Sequence, residues 1–129
     1  MIKTRAMAVV LLCVSAFVCR AEQAKQNDKP LADVIQEIKD GKAVIVDVRE
    51  QNEWDKGHLK AATLIPLSAL KGDKADLAAL PKDKTIYTHC VVGKRSLAAA
   101  QILIDKGYHA TSIKEGYADL VKNGFEDSK

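Results

Sequence analysis

One cysteine of this chain stands in a setting that favours nucleophilic chemistry. Cys90 follows a strand-like run that ends at His89, and it precedes an apolar run, residues 97–103, that is typical of a helix. A thiol at the start of a helix faces unpaired backbone N–H groups and the positive end of the helix dipole. Both stabilise the thiolate, which is the nucleophilic form of cysteine, and Lys94 and Arg95 add two cations in the same loop. The pattern predicts Cys90 as a catalytic nucleophile.

The loop after Cys90 is suited to surround the sulfur atom. Gly93 allows backbone conformations that are closed to other residues. Successive N–H groups of such a loop can converge on one anion, here a thiolate, a persulfide or a bound sulfur oxyanion. His89 is not assigned as a general base, because neighbouring side chains on a strand point in opposite directions.

The first 21 residues are typical of a secretory signal peptide. Lys3 and Arg5 form a basic start, and residues 6–18 are apolar apart from Ser15. Small residues occupy the first and third positions before a cleavage site after Ala21. The apolar run is shorter than the roughly 20 residues of a membrane span. We therefore predict cleavage after Ala21 and a periplasmic protein, with an uncleaved anchor as the alternative.

Loss of residues 1–21 changes the charge and the cysteine content. The segment holds three of the 20 basic residues and none of the 17 acidic ones, so the remaining chain is neutral overall. Neutrality gives no reason to propose a nucleic acid or a membrane surface as partner. Cys90 is the one cysteine left, which indicates an inert core thiol, an intermolecular disulfide or a reactive site. The residues around Cys90 favour the reactive site. We expect its thiol to be exposed and the protein to be a monomer or a weak dimer.

The rest of the chain predicts one α/β domain over residues 31–126, preceded by a flexible leader over residues 22–30. Residues 43–48 are apolar and rich in β-branched side chains, which is typical of a strand buried on both faces of a parallel sheet. Ligand sites of such sheets lie beyond the carboxyl ends of the strands, where Cys90 falls. Further strands are predicted at 62–65, 85–89 and 109–113, and helices at 31–40, 49–56, 95–106 and 116–123, with short helical pieces in 68–80.

Several blocks together resemble the rhodanese-like sulfurtransferases. The run from Cys90 to Ser96 has that family's form Cys-x-x-Gly-x-Arg-Ser. The other matching blocks, which extend the resemblance over about residues 30–125, are Asp47-Val48-Arg49-Glu50, Glu53-Trp54-Asp55-Lys56-Gly57-His58-Leu59, Leu64-Ile65-Pro66, Lys106-Gly107-Tyr108 and Glu115-Gly116-Tyr117. The resemblance implies a three-layer domain with a mainly parallel central sheet and helices on both faces. With a signal peptide, the chain is similar to the small periplasmic rhodaneses associated with envelope stress.

The resemblance also implies a two-step reaction. The Cys90 thiolate takes the outer sulfur of a donor such as thiosulfate, and a nucleophilic acceptor such as cyanide or a thiol then removes it from the persulfide. Small sulfur compounds are the implied partners, with a thiol protein as a further acceptor, and no metal or organic cofactor is implied. Lys94 is expected to attract the anionic donor, and Arg95 to hold the loop by pairing with a carboxylate such as Glu50. The implied substrate-binding residues are Val91, Val92, Gly93, Lys94 and Arg95.

Two alternatives remain open from the sequence. The first is a persulfide relay that passes sulfur to a partner protein. The second is a cysteine-dependent phosphatase, because those enzymes also place a cysteine, a cradle and an arginine in order. They have five residues between cysteine and arginine, whereas four stand between Cys90 and Arg95 here. The shorter loop suits a sulfur atom better than a tetrahedral phosphate.

Overall fold

A computed structural model describes residues 21–128, so the predicted signal peptide lies outside the described residues apart from Ala21. None of the helices in that described part is long and apolar enough to cross a membrane. Helices and strands follow one another along the chain as α1 (Leu31–Lys39), β1 (Ala43–Asp47), α2 (Gln51–Asp55), β2 (His58–Leu59), β3 (Ala62–Leu64), α3 (Leu67–Lys71), β4 (Thr85–His89), α4 (Lys94–Asp105), β5 (His109–Ser112), α5 (Tyr117–Lys122) and β6 (Asp127–Ser128).

The central sheet has four parallel strands in the order β3-β1-β4-β5. The two middle strands, β1 and β4, pair along their full length from Ala43 with Thr85 to Asp47 with His89. Because all four strands run the same way, their carboxyl ends meet at one edge of the sheet. Cys90 follows the end of β4 at this edge.

Side chains that alternate along the strands build a core on each face of the sheet. Val46 and Ile86 belong to the cluster that includes residues of α3 and α4, whereas Ile45 and Tyr87 belong to the cluster that includes residues of α1 and α5. The α/β class with a mainly parallel sheet and helices on both faces is therefore confirmed.

Two parts of the chain differ from the predicted elements. β2 and β6 form a small antiparallel pair that the sequence does not predict, since strands of two residues have no readable period. The helical pieces predicted within residues 68–80 reduce to α3, which ends at Lys71 and is capped by Gly72. Asp73 follows with a positive φ of 52°, a conformation that does not continue a helix.

The sequence predicts residues 22–30 as a flexible leader, but the middle of this segment pairs with Ser112 at the end of β5 in the structure. Asn27 N–H donates to the Ser112 carbonyl at 2.6 Å, and Ser112 N–H donates to the Lys25 carbonyl at 3.0 Å. Both hydrogen bonds join main-chain atoms of the segment to main-chain atoms of β5. Such bonds leave no side-chain pattern in a sequence, which is why the polar composition of the segment indicates only mobility.

Arg49 joins three parts of the fold with one buried side chain. Its guanidinium forms a bidentate pair with Asp47, at 2.7 to 3.0 Å, and donates to the Gly57 carbonyl at 2.9 Å. The same guanidinium lies 4.6 Å from the centre of the Tyr117 ring on α5. The Tyr117 hydroxyl in turn donates to Asp127 on β6. The buried charge of Arg49 is thus paired, as the low dielectric of a core requires.

Candidate active site

Cys90 lies between the carboxyl end of β4 and the first turn of α4. The helix begins at Lys94, and Gly93 caps it with a left-handed φ of 84°. A β-carbon at Gly93 would stand 3.0 Å from the Lys114 Cα and 3.1 Å from its carbonyl oxygen. Gly93 is therefore required both by its conformation and by its close approach to the segment after β5.

Two backbone N–H groups point at the Cys90 sulfur. Gly93 N–H donates to Sγ at 3.2 Å and Ser96 N–H donates to it at 3.4 Å. The Ser96 hydroxyl lies 3.5 Å from Sγ. The convergence of N–H groups that the loop predicts is present, and Ser96 adds a hydroxyl. Ser96 was not singled out from the sequence, although it closes the matched Cys-x-x-Gly-x-Arg-Ser pattern.

These contacts lower the pKa of the Cys90 thiol. Burial acts against the shift and raises the pKa, because it penalises the charged form. The hydroxyl of Ser96, its N–H group and the N–H groups of Val92 and Gly93 together outweigh burial by stabilising the thiolate. The Arg95 guanidinium interacts favourably with the same charge. The site therefore holds a thiol that ionises more readily than an ordinary one.

The Cys90 side chain is buried, with 0% of its surface exposed. The prediction of an exposed thiol is wrong, because the residue packs into the core cluster on the α4 face of the sheet. The residues that follow it are the ones at the surface: Val91 is 49% and Val92 is 70% exposed. These two are the exposed large hydrophobic residues within the described part of the chain.

Arg95 forms a bidentate pair with Glu53 of α2, at 2.6 and 2.9 Å. The sequence points to Glu50 as the partner, and this is wrong, because Glu50 caps α2 and accepts a hydrogen bond from the Ser68 hydroxyl at 2.8 Å. The Arg95 pair, helped by the Glu50 N–H and opposed by burial, lowers the pKa of Glu53 to about 2. Arg95 thus ties the start of α4 to α2.

Lys94 is the first residue of α4 and is exposed, which agrees with its expected contact with a donor from solution. It lines a groove with residues of the N-terminal segment and of α4, among them Gln23 and Gln101. Gln26 of that segment donates to the Gly93 carbonyl at 3.3 Å. The N-terminal segment therefore contacts the loop that surrounds Cys90. Of the five predicted substrate-binding residues, Val91, Val92 and Lys94 are exposed, Gly93 is buried and Arg95 is half-buried.

His89 precedes Cys90 and is fully buried. Its Nε2 lies 3.7 Å from Asp47 Oδ2, and neither ring nitrogen has a hydrogen-bond partner among residues 21–128. Burial lowers the pKa of His89 to about 4, against a smaller opposite effect of the Asp47 charge. The imidazole is neutral near pH 7.

Acid is expected to destabilise the protein through His89. The unfolded chain binds a proton on this residue near pH 6.5, whereas the folded chain resists it down to about pH 4. The contribution of neutral His89 is complete above pH 6.5 and is lost as the pH falls toward 4, on the order of 3 kcal/mol in all. Urea unfolding measured from pH 7 to pH 4.5 checks this.

The matched variant for that measurement is His89→Leu, which does not titrate. Glu53, with its pKa of about 2, stays ionised over the same range. The difference between the two unfolding free energies should therefore change with pH below 6.5. If the unfolding free energies of the variant and of the unchanged protein changed with pH in parallel, the pH dependence could not be assigned to His89.

Within residues 21–128, no group of three or more His, Cys, Asp or Glu side chains is arranged to hold a metal ion. The histidines of this part are His58, His89 and His109. His58 stacks on Trp54, with ring centres 3.6 Å apart and planes within 5°.

Comparison with known proteins finds a matching family model and several relatives. A family model described as "Rhodanese-like domain" matches residues 30–123. An uncharacterized protein of Bacillus subtilis, YqhL, is 44% identical over 66 residues, which cover 51% of this chain and 50% of that protein. "Thiosulfate sulfurtransferase GlpE" of Coxiella burnetii is 31% identical over 94 residues, covering 71% of this chain and 77% of the relative.

Among solved structures, the human single-domain sulfurtransferase TSTD1 superposes with a TM-score of 0.62 at 27% identity. The match covers 73% of this chain and 96% of the human one. The chain spans half the length of the Bacillus subtilis relative.

Proposed function

This chain belongs to the rhodanese-like domain family, and from that membership we propose that it is a sulfurtransferase that carries sulfane sulfur on Cys90. The observation that supports this most directly is the pair of N–H groups, of Gly93 and Ser96, that donate to Sγ. They favour an anionic sulfur, which both nucleophilic attack and a persulfide require. The relative named thiosulfate sulfurtransferase supports thiosulfate as the donor.

The reaction takes place in two displacements on sulfur. The Cys90 thiolate attacks the outer sulfur of thiosulfate, an S–S bond forms, and the bond to the inner sulfur breaks, so sulfite leaves with the electron pair. Cyanide then attacks the terminal sulfur of the Cys90 persulfide, forms thiocyanate and returns the thiolate. A thiol acceptor would take the same sulfur and leave as a persulfide. Electrons balance without a cofactor.

Each residue of the loop has a distinct part in this proposal. The N–H groups of Gly93 and Ser96 hold the negative sulfur in the thiolate and in the persulfide, as an oxyanion hole holds oxygen. Arg95, fixed by Glu53, keeps the start of α4 in place. Cys90 itself is buried, and the exposed members of the loop that follow it are Val91, Val92 and Lys94.

The functional assay incubates the protein with thiosulfate and cyanide, and separately with an aryl phosphate. Thiocyanate formation is the expected result. Phosphate release without thiocyanate would contradict the proposal and favour a phosphatase.

A persulfide relay is the second candidate, and the exposed valines favour it. Val91 and Val92 follow Cys90 directly and are exposed, so they offer two apolar side chains for contact with another protein next to the residue that carries the sulfur. In that case intact mass after incubation with thiosulfate would show one added sulfur atom, while thiocyanate would form at a negligible rate.

Lys94→Ala is expected to slow loading from thiosulfate by roughly three- to tenfold, because an exposed cation raises the local concentration of an anionic donor. Loading from a neutral sulfane donor should change little. Single-turnover loading of Cys90, followed by mass, measures both rates at low salt, where the attraction is least screened.

Lys39→Ala is the matched control for Lys94→Ala. It removes the same charge from α1, on the opposite face of the sheet from α4. Equal losses for the charged and the neutral donor in Lys94→Ala would reject the proposed role, and so would an equal effect in Lys39→Ala.

We also propose that the protein is exported and cleaved after Ala21, which would make it periplasmic. The basic start, the apolar run and the small residues before the cut support this. N-terminal sequencing of the protein recovered from the periplasm should begin at Glu22. Recovery of the intact first 21 residues would contradict it.

A further inference from the structure

Two buried serine hydroxyl groups and the reactive sulfur form a line of successive hydrogen-bonding contacts. The Ser96 oxygen lies 3.5 Å from Cys90 Sγ, and the Ser112 oxygen lies 2.8 Å from the Ser96 oxygen. Both serines are 0% exposed. Ser112 is the last residue of β5, and its hydroxyl is hydrogen-bonded to Ser96 and not to the sulfur.

The hydrogen atoms of this line can be counted. Each hydroxyl has one hydrogen to donate and can accept two. The Ser96 hydrogen has three acceptors within reach, namely Sγ, the Ser112 oxygen and the Ile113 carbonyl, which is 3.3 Å away. If Ser96 donates to Ser112, it has no hydrogen left for the sulfur. If Ser112 donates to Ser96, the Ser96 hydrogen is free to turn toward Sγ.

We propose that Ser112 is a positioning residue for Cys90, whose hydroxyl donates to the Ser96 oxygen and thereby directs the Ser96 hydrogen to the thiolate. In the neutral thiol the direction at the sulfur is reversed, and Cys90 S–H donates to the Ser96 oxygen. Ionisation of the thiol and rotation of one hydroxyl are thus coupled. The inference deepens the proposed function, because it rests on Cys90 acting as the nucleophile.

The surroundings hold Ser112 in the position that this requires. Its carbonyl accepts from Asn27 N–H and its N–H donates to the Lys25 carbonyl, so the N-terminal segment fixes the backbone on one side. On the other side Ser112 pairs with Thr88 of β4. The Thr88 hydroxyl donates to the Ser96 carbonyl at 2.7 Å and so holds the second serine.

The segment predicted as a flexible leader therefore supports the reactive sulfur. The line runs from its backbone to Ser112, then to Ser96 and to Cys90. None of the groups that donate along this line is charged, so their effect on the thiolate comes from hydrogen bonding in a site of low dielectric, where such bonds are strong.

Ser112→Ala tests the inference and leaves both backbone hydrogen bonds of the residue available. The pKa of the Cys90 thiol, measured from the rate of iodoacetamide alkylation against pH, is expected to rise by roughly half a unit to one unit, since one hydrogen bond in the line is lost. Ser112→Thr restores the hydroxyl and should return the pKa toward its original value. Thr111→Ala is the matched control, because it removes a hydroxyl from the neighbouring position of β5, whose side chain points to the other face.

The pH profile of alkylation can be assigned to the Cys90 thiol, because the substitution changes no titratable group. Ser112→Ala removes no charged or titratable group. Those around Cys90 that stay in place include Asp47 on β1, Glu53 on α2, His89 on β4, Lys94 and Arg95 on α4, and Lys114 and Glu115 after β5.

A double-mutant cycle decides whether Ser112 acts through Ser96. In a Ser96→Ala background, Ser112→Ala should have no further effect on the pKa, because the intermediate hydroxyl is gone. Additive shifts, an unchanged pKa in Ser112→Ala, or equal shifts in Ser112→Thr and Ser112→Ala would each overturn the inference. Thermal melts of all variants separate loss of fold from loss of the hydrogen bond.

This experiment stands apart from the test of the proposed function. Alkylation reports the thiol and needs no turnover. An absence of thiocyanate formation with a raised pKa in Ser112→Ala would reject the sulfurtransferase and keep the role of Ser112. Normal turnover together with an unchanged pKa in Ser112→Ala would support the sulfurtransferase and reject the role of Ser112.

Discussion

Cys90→Ser is expected to lower thiocyanate formation from thiosulfate and cyanide by at least about three orders of magnitude. A serine hydroxyl is not ionised near pH 7 and its oxygen is a poor nucleophile toward sulfur, whereas the Cys90 thiol has a lowered pKa. The N–H groups of Gly93 and Ser96 remain in the variant, but they have no anionic sulfur to hold. The assay is thiocyanate formation at saturating cyanide.

Intact mass provides the second measurement for Cys90→Ser. The unchanged protein should gain one sulfur atom after incubation with thiosulfate, and the variant should gain none. Circular dichroism and a thermal melt establish that the variant is folded, which is expected because serine has nearly the shape of cysteine. Continued turnover in a folded variant would mean that the sulfur is carried elsewhere, and the proposed function would then be wrong.

Gly116→Ala is expected to destabilise the fold by roughly 2–4 kcal/mol and to reduce activity at least tenfold. A β-carbon at Gly116 would stand 1.9 Å from the Val91 carbonyl oxygen and 2.8 Å from its carbonyl carbon. The atoms it meets are main chain, so no side-chain rotation relieves the contact. The neighbouring Tyr117 N–H donates to the Cys90 carbonyl at 3.1 Å, so the necessary shift moves the loop that surrounds the sulfur.

Gly72→Ala is the control for Gly116→Ala. Both glycines have a negative φ, −82° at Gly72 and −81° at Gly116, so neither backbone excludes alanine. A β-carbon at Gly72 meets its nearest neighbour, the Ser68 carbonyl oxygen, at 3.3 Å. Both substitutions reduce the entropy of the unfolded chain alike. The difference between their unfolding free energies in urea therefore measures the contact with Val91, and equal values would show that the loop accepts the extra carbon.

The central strands and the longest helix could be predicted from side-chain patterns. β1 is a short apolar run and β4 is rich in β-branched and aromatic residues, and α4 has an apolar face and follows a loop with Gly93. The side chains of these elements pack into the two core clusters, and the pattern of those side chains is visible in a sequence. The placement of Cys90 at the carboxyl edge of the sheet followed from them.

The features that could not be predicted depend on backbone contacts and on competition between similar residues. The N-terminal segment attaches to β5 through main-chain hydrogen bonds, and β2 and β6 meet only after the chain has folded. Glu50 and Glu53 are both acidic and close in sequence to the end of β1. Which of them binds Arg95 is decided by the first turn of α2, where Glu50 is used as the cap.

The three contacts of Arg49 have a consequence for how the protein opens locally. If the β2–β6 pair or α5 detached alone, the guanidinium would lose the Gly57 carbonyl or the Tyr117 ring while its charge stayed in the interior. Removing a partner from a buried charge is costly, so partial detachment is disfavoured relative to joint release. Amide hydrogens of these elements should accordingly exchange with solvent at similar rates, as one cooperative unit. A single guanidinium thus makes α5 and the β2–β6 pair depend on the motif that follows the first strand.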